Sequence, residues 1–166
     1  MSRAFVKEDG PDNTPLPDLP VSPHPNYVTP RGMAALQARL AATQADLARL
    51  RARTDRLDRM PEAAAERDIR YLEARLRSAR PVDPARQPQD EVAFGARVSV
   101  TESAGHDHVF EITGEDEADA AQGRIAPQSP LARALLGAAV GDSVLWMRPS
   151  GRLELDITAI RYGDSP

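Results

Sequence analysis

Apolar side chains in the first half of the chain recur in alternating steps of three and four residues. The run follows Thr29-Pro30, a pair suited to the N-cap and first turn of a helix. Such spacing places one apolar stripe along a helix and is typical of a coiled-coil seam. It predicts a helix from Pro30 to about Leu57, roughly 40 Å long. The stripe consists of Met33, Leu36, Leu40, Thr43, Leu47, Leu50, Thr54 and Leu57.

A second stripe with the same spacing follows, and it supplies the partner that so long a helix needs. Pro61 suits the first turn of this second helix, because proline is tolerated there and excluded from helix interiors. Residues 27–80 therefore predict an antiparallel coiled-coil helical hairpin, and the proline-rich residues 81–91 predict a linker. The second stripe consists of Ala65, Ile69, Leu72, Leu76 and Ala79.

The apolar period changes from the helical value to two at Val92, which indicates strands. One strand carries alternating apolar residues from Val92 to Val100, and another carries His108, Phe110 and Ile112. A short strand at Ile125 and a last hairpin across residues 149–151 complete the pattern. Residues 92–163 thus predict a small domain with a mostly antiparallel sheet, and the whole chain is expected to be α+β.

One short helix is predicted within this second domain, over about Pro130 to Leu136. Ser129 suits the N-cap, and Pro130 suits the first helical position because it lacks an N–H that would have no partner there. Gly137 supplies a residue that turns left-handed after the last turn.

The first 26 residues contain six prolines, with acids between them and few large apolar side chains. A segment of this kind buries too little apolar surface to offset the entropy of ordering. We therefore expect an extended or disordered arm. A solvated tail is favoured over docking on a partner through Phe5 and Val6.

Composition excludes several classes of chemistry. The chain has no cysteine, which rules out disulfides, thiolate nucleophiles and cysteine-based zinc sites. No apolar stretch has the length of a membrane span or a signal peptide, so we expect a cytoplasmic protein without a membrane partner. Charge is uneven: residues 30–80 carry 12 arginines against 7 acids, whereas residues 90–166 carry 6 arginines against 13 acids.

Two motifs in the second domain resemble those of a known family. Residues 114–119 read Gly-Glu-Asp-Glu-Ala-Asp, and residues 129–135 read Ser-Pro-Leu-Ala-Arg-Ala-Leu. The pair resembles the C-terminal domain of the bacterial Gre transcript-cleavage factors, and the likeness extends over about Tyr27 to Tyr162. The resemblance implies a C-terminal domain like the FK506-binding-protein (FKBP) fold. It also implies binding to bacterial RNA polymerase near the secondary channel, which the helical hairpin enters.

The resemblance also implies which residues face the polymerase. Ser129, Pro130 and Arg133 match the family helix whose N-terminal end faces the polymerase, while Gln128 stands where many members have Asp or Asn. Among the acids of residues 115–119, Asp116 and Glu117 are predicted to meet basic polymerase surface. The alternative for these acids is a solvated loop.

The hairpin tip departs from the family. Its usual Gly-Asp-x-Ser-Glu-Asn-type motif, whose acids help hold a second magnesium ion at the polymerase active site, is missing here. Asp58 and Glu62 are the candidate replacements, although a structural role is favoured for both because Asp58 can cap the turn and Glu62 suits a first helical turn. The hairpin is also shorter by about two helical turns on each arm, as in Rnk-like relatives, so it reaches on the order of 10 Å less far.

These departures predict a regulator of transcription elongation rather than a strong stimulator of cleavage, with no enzymatic activity or cofactor of its own. Any magnesium involved would belong to the polymerase active site. Arg53, Arg56 and Arg59 are candidates for contacts with RNA phosphate, a role that binds nucleic acid only within the transcription complex. We expect a monomer.

Two other functions compete with this interpretation. One is a coiled-coil adaptor or regulator of a metabolic enzyme, which would bind its partner and no polymerase. The other is a prolyl isomerase, disfavoured because the second domain has few aromatic residues to line a pocket. A zinc site at His106 and His108 is also disfavoured, since no further ligand stands at metal-site spacing.

Overall fold

Two long helices form the first part of the molecule. The computed structural model describes residues 15–55 and 57–163. Helix α1 spans Pro30–Arg51 and helix α2 spans Met60–Ser78. Each begins with a proline in its first turn, as the sequence predicts.

The two helices run in opposite directions. At their base, strand β1 (Tyr27–Val28) precedes α1 and pairs in parallel with strand β2 (Arg80–Pro81), which follows α2. At the other end, the Arg51 guanidinium lies 2.7 Å from the carboxylate of Glu66. This ion pair connects the end of α1 to the first part of α2. A helical hairpin is therefore present, while its coiled-coil description stays a prediction.

The predicted apolar seam of α1 is right up to Leu50 and wrong beyond it. Leu36 and Leu47 are buried, but the helix ends at Arg51 and Leu57 is 92% exposed. Residues 52–55 and 57–59 lie outside the helices. There a carboxylate oxygen of Asp55 accepts the Leu57 N–H at 3.0 Å. Bonds of this kind offer the backbone an alternative to helical hydrogen bonding, so local chemistry overrides the periodic pattern.

Five strands form the sheet of the second domain, in the order β5-β4-β3-β7-β6. Every neighbouring pair is antiparallel except β4 and β5, so the α+β class with a mostly antiparallel sheet is confirmed, and the FKBP-like description stays a prediction. The strands are β3 (Ala96–Glu102), β4 (Asp107–Ile112), β5 (Arg124–Ile125), β6 (Ser143–Arg148) and β7 (Gly151–Tyr162).

The first strand starts four residues later than the alternation of apolar residues predicts. Gly95 has a φ of +88°, a left-handed conformation that interrupts the strand, and its N–H bonds to the Ile112 carbonyl at 2.8 Å. Val92 is nevertheless 1% exposed. Val92 reaches the core from an irregular segment that precedes the strand. The alternation of apolar residues therefore begins before the strand does.

The predicted short helix is present as α3, Pro130–Leu135. The Ser129 hydroxyl accepts the Ala132 N–H at 3.3 Å, and Gly137 has a φ of +83°. Leu131 and Leu135 pack beneath the sheet with Val98, Ile112 and Ile157 in one apolar core. This packing fixes α3 against the sheet and leaves its outer face available.

Residues 15–26 have no strand or helix and run along α2 toward β1. Residues 1–14 of the predicted arm lie outside the described residues, and the predicted domain boundaries stay predictions. Among residues 15–55 and 57–163, no helix combines the length and apolar character needed to cross a membrane.

Two leucines in this hairpin give a matched test of the seam. Replacing Leu72, which is fully buried, with alanine should lower the free energy of unfolding by about 2–5 kcal/mol, because the mutation leaves a cavity between the helices. The same replacement at Leu57 should change it by less than about 0.5 kcal/mol. Chemical denaturation of both variants measures the difference. Equal losses would mean that Leu57 packs in the seam after all.

Candidate functional site

Residues 114–119, the acidic loop, lie between the base of the helical hairpin and the sheet. We call this contact region the joint. The loop leaves the end of β4 and forms a 3-10 turn over Glu115–Glu117. A Cβ on Gly114 would stand only 2.7 Å from the carbonyl oxygen of Tyr27, closer than side-chain carbons approach a backbone atom. Glycine at this position therefore lets the loop press against the base of the hairpin.

One arginine of α2 gathers this loop and the N-terminal segment around itself. Arg75 is 1% exposed, and its Nε lies 2.6 Å from Asp116 Oδ2. Its Nη2 donates to Asn26 Oδ1 at 2.7 Å and lies 3.4 Å from Glu115 Oε2. The Asn26 amide in turn donates to the Arg75 carbonyl at 2.8 Å. One guanidinium group thus joins α2 to two other segments of the chain, the acidic loop and the segment that contains Asn26.

Tyr71 adds a second bond to the same carboxylate. Its hydroxyl donates to Asp116 Oδ1 at 2.8 Å, so both oxygens of Asp116 are engaged by α2. Burial, the hydrogen bond and the nearby negative charge raise the pKa of Tyr71 above its ordinary value. The phenol therefore stays protonated and able to donate well above neutral pH.

Glu117 holds the other helix at its N-terminus. Its Oε2 accepts the Thr29 hydroxyl at 2.7 Å, while the Thr29 oxygen accepts the Gly32 N–H at 2.9 Å and so caps α1. Its Oε1 lies 3.2 Å from Arg31 Nε, and Arg31 also reaches Glu111 at 2.8 Å. Burial alone would lower the pKa of Arg31, but the two carboxylates outweigh it and the net shift is upward.

Asp116 and Glu117, predicted to meet the polymerase, have their side chains engaged inside the chain. These side chains are 12% and 8% exposed. They are not a solvated loop, which was the alternative. Their geometry favours a structural role in the joint, and a direct contact of theirs with the polymerase stays a prediction.

The other predicted polymerase contacts lie together at α3. Ser129 caps the helix, and Pro130 and Arg133 are exposed. Within the described part of the chain, the Arg133 guanidinium has no hydrogen bond or ion pair. The Gln128 amide oxygen is buried and likewise finds no hydrogen-bond partner among the described residues. The exposed face of α3 therefore combines a proline in the first turn with a cation in the last turn that is available to an outside partner.

The acids at the hairpin tip serve local structure. Asp58 Oδ1 accepts the Met60 N–H at 2.9 Å and so helps to start α2. Glu62 is 6% exposed and lies 4.0 Å from the guanidinium of Arg53. Asp58 is exposed, Glu62 is buried, and the exposed large apolar side chains among the described residues of the tip are Leu57 and Met60.

The structure describes two of the three arginines predicted to meet RNA phosphate. Arg53 donates to the carbonyl oxygens of Leu50 and Asp58, at 3.2 and 3.1 Å. Arg59 immediately precedes α2. Arg56 lies outside the described residues.

The two histidines that suggested a metal site instead share one carboxylate. His108 Nε2 lies 2.7 Å from Glu102 Oε1, and His106 Nδ1 lies 3.6 Å from Glu102 Oε2. The hydrogen bond with His108 is the main reason that the pKa of Glu102 falls below its ordinary value. Among the residues that the structure describes, no group of three or more His, Cys, Asp or Glu could hold a metal ion.

Sequence reasoning missed Arg75, the centre of the joint. A signal was available, because Arg75 follows Leu72 by three residues and precedes Leu76, which places a charge on the buried side of α2. A charge on such a face requires a partner of opposite sign. Which acid supplies it depends on the tertiary fold and is not readable from spacing.

Comparison with known proteins agrees with the two motifs. Residues 87–162, which carry the sheet, the acidic loop and α3, match the family described as "Transcription elongation factor, GreA/GreB, C-term". Over 106 residues the chain is 41% identical to a transcription elongation factor GreA from Alkalilimnicola ehrlichii, covering 63% of this chain and 67% of that relative. The chain belongs to the GreA/GreB family.

Further relatives of the GreA/GreB family give the extent of the similarity. Over 98 residues the chain is 43% identical to GreB from Neisseria meningitidis, covering 58% of this chain and 60% of that relative. A solved GreA/GreB structure from Nitrosomonas europaea has a TM-score of 0.42 at 22% identity, covering 82% of this chain and 99% of that one. The chain thus spans about three fifths to two thirds of the length of these two curated relatives.

The ion pair between Arg75 and Asp116 leads to a prediction about the stability of the fold. Replacing Arg75 with methionine should lower the free energy of unfolding by about 3–5 kcal/mol, because Asp116 and Asn26 would stay buried without their partner. The matched control is Arg77→Met two residues on, where the arginine is exposed and the change should be within about 0.5 kcal/mol. Thermal or chemical unfolding measures both. A neutral Arg75→Met variant would show that the ion pair is dispensable to the fold.

Proposed function

We propose that this protein binds bacterial RNA polymerase at its secondary channel and regulates elongation, with α3 docking outside the channel and the helical hairpin entering it. The observation that carries the proposal is the exposed face of α3, where Pro130 and Arg133 lie within the segment that matches the family, and where the Arg133 guanidinium has no partner among the described residues. The coiled-coil hairpin and the FKBP-like domain belong to the same proposal. So do a monomeric state and a cytoplasmic location.

The buried joint supports simultaneous docking and insertion. A hairpin that entered a channel from a loosely tethered domain would lose orientational freedom on binding, and ordering of this kind costs affinity. Here Arg75 and Glu117 hold α2 and α1 against the domain that carries α3. The molecule therefore presents its docking helix and its hairpin in one fixed relation before it meets the polymerase.

Stimulation of RNA cleavage is proposed to be weak or absent. Magnesium takes oxygen ligands at about 2.0–2.1 Å, and a second metal would act by activating water for phosphodiester hydrolysis. Asp58 already accepts a backbone N–H, and Glu62 is buried beside Arg53. Each acid thus has a structural role within the hairpin, and the metal would in any case belong to the polymerase.

Contacts with RNA are proposed to be secondary. Arg53 and Arg59, with Arg56, are the candidates for binding RNA phosphate within the transcription complex. Phosphate contacts add affinity without reading sequence. Arg53 is already bonded to two backbone carbonyls, which reduces the share of its hydrogen bonds left for RNA.

Binding to core polymerase tests the docking surface. Reversing charge with Arg133→Glu, or introducing it with Pro130→Glu, should weaken binding at least about tenfold, since a like charge at a complementary interface is strongly unfavourable. Arg152→Glu is the control, an equal reversal at an exposed arginine on β7. Affinity measured by fluorescence anisotropy should fall only for the two α3 variants. Unchanged binding by both would remove α3 from the interface, and recovery of a metabolic enzyme without polymerase would favour the adaptor.

A backtracked elongation complex tests the tip. With this protein added, RNA cleavage should stay within about twofold of the rate without any factor, and cleavage stimulated by a true Gre factor should be inhibited by competition. Asp58→Ala should behave as the unchanged protein does, since its carboxylate is assigned to the local turn. Stimulated cleavage that disappears in Asp58→Ala or Glu62→Ala would reassign these acids to the metal.

A further inference from the structure

A cavity of about 350 Å³ lies where the start of α1, the segment after β2 and the sheet meet. We call it the basal cavity. Ligand sites in proteins have volumes of about 300–1,000 Å³ and combine apolar walls with a few polar groups. The basal cavity has both features, and its lining includes Pro30, Val82, Pro84, Phe94, Arg97 and Glu111.

The apolar walls of the basal cavity are fixed by contacts within the chain. The Val82 N–H bonds to the Val28 carbonyl at 3.0 Å, and the centroid of the Phe94 ring lies 5.8 Å from that of Tyr27. Gly95, which also lines the cavity, leaves the space beside it open, since a Cβ there would meet no heavy atom of the described residues within 4 Å. Walls that contain two prolines and a phenylalanine are suited to the flat face of a ring.

Two arginines lie opposite each other where the sheet borders this cavity. Arg97 on β3 pairs in register with Arg161 on β7, and both side chains are exposed. Within the described part of the chain, neither guanidinium has a hydrogen bond or an ion pair. Like charges directly opposite each other on neighbouring strands are unfavourable, so an anion bound to both would relieve their repulsion.

The acid next to Arg97 across the sheet is paired with another arginine. Glu111 on β4 is the register partner of Arg97 on its other side, but the Glu111 carboxylate lies 2.8 Å from Arg31. Arg31 in turn also lies 3.2 Å from Glu117. Three arginines and two glutamates thus leave one positive charge unmatched, at Arg97 and Arg161. This charge favours an anionic ligand over a cationic one.

We propose that the basal cavity binds a phosphate monoester that carries a flat ring, with the phosphate at Arg97 and Arg161 and the ring against Phe94 and Pro84. A guanidinium fork matches phosphate oxygens, and a phosphate monoester carries a charge of about −1.5 to −2 near neutral pH, which two arginines balance. Such a ligand contacts the start of α1 as well as the sheet. It therefore ties the hairpin to the second domain, and the inference does not rest on the proposed function.

Phenyl phosphate is a probe with both halves of this ligand, while inorganic phosphate and phenol each carry one half. Titration of the full chain labelled with nitrogen-15, followed by amide chemical shifts, measures all three affinities. Phenyl phosphate should bind at least about tenfold more tightly than either of the other probes, because both halves contribute to its affinity. Saturable shifts are expected at Gly95, Arg97 and Gly163 of the cavity, and not at Leu57 or Met60 of the tip.

Two substitutions test the two halves separately. Arg97→Gln should weaken the binding of phenyl phosphate at least about tenfold, because a charge-assisted hydrogen bond is lost, and should leave the binding of phenol unchanged. Val82→Phe should fill the cavity, so that phenyl phosphate binds no more tightly than inorganic phosphate. The control is Arg152→Gln, which removes an exposed arginine on the same strand as Arg161 but outside the cavity lining, and its affinities should equal those of the unchanged protein.

Either of two results would overturn the inference. Equal affinity of the unchanged protein for phenyl phosphate and inorganic phosphate would exclude the ring site, and undiminished binding by Arg97→Gln would exclude the anion site. Should Val82→Phe not fold, the exposed substitution Arg161→Gln gives a second test, since it too should weaken phenyl phosphate and unchanged binding would contradict the assignment. No polymerase is present in these measurements, so their failure leaves the proposed function as it stands.

Discussion

The buried ion pair between Arg75 and Asp116 is the constraint on which the arrangement of the molecule depends. Burying a guanidinium and a carboxylate costs several kcal/mol of desolvation, so such a pair is weak evidence for net stability. Its geometric demand is strong, however, because any other placement of the loop would leave a buried charge without a partner. Arg75, Tyr71 and Asn26 meet that demand together. The pair therefore selects one orientation of the helical hairpin against the sheet.

This constraint explains why acidic side chains occur in the loop that contacts the hairpin. In the sequence it looked like a solvated or partner-facing cluster of charge, yet Gly114 approaches the Tyr27 backbone and Glu117 caps the start of α1 through Thr29. The loop connects the helical hairpin to the sheet. The acidic motif that resembles the GreA/GreB family therefore fixes how the hairpin packs against the sheet. Helix α3 follows this motif in the same domain.

Local periodicity predicted most of the fold and little of the joint. The seam of Leu36 and Leu72 and the cap of α3 at Ser129 follow from rules that act within one turn or one strand, and the structure has them. Leu57 was misplaced because α1 ends at Arg51 and the Leu57 N–H bonds to the Asp55 side chain instead of to a helical carbonyl. Arg75 was missed because its partners lie about forty residues away in sequence. Spacing identifies a buried face, but only the tertiary fold decides which charge meets which.

The tip of the hairpin is organised by the same kinds of local interaction as its base. Asp58 accepts the Met60 N–H, and Glu62 is buried beside Arg53, so each acid has a structural role within the hairpin. Leu57 and Met60 are the exposed large apolar side chains among the described residues of the tip. Because α1 ends before Leu57, the apolar pattern that predicted a longer seam instead leaves an apolar side chain on the surface of the tip.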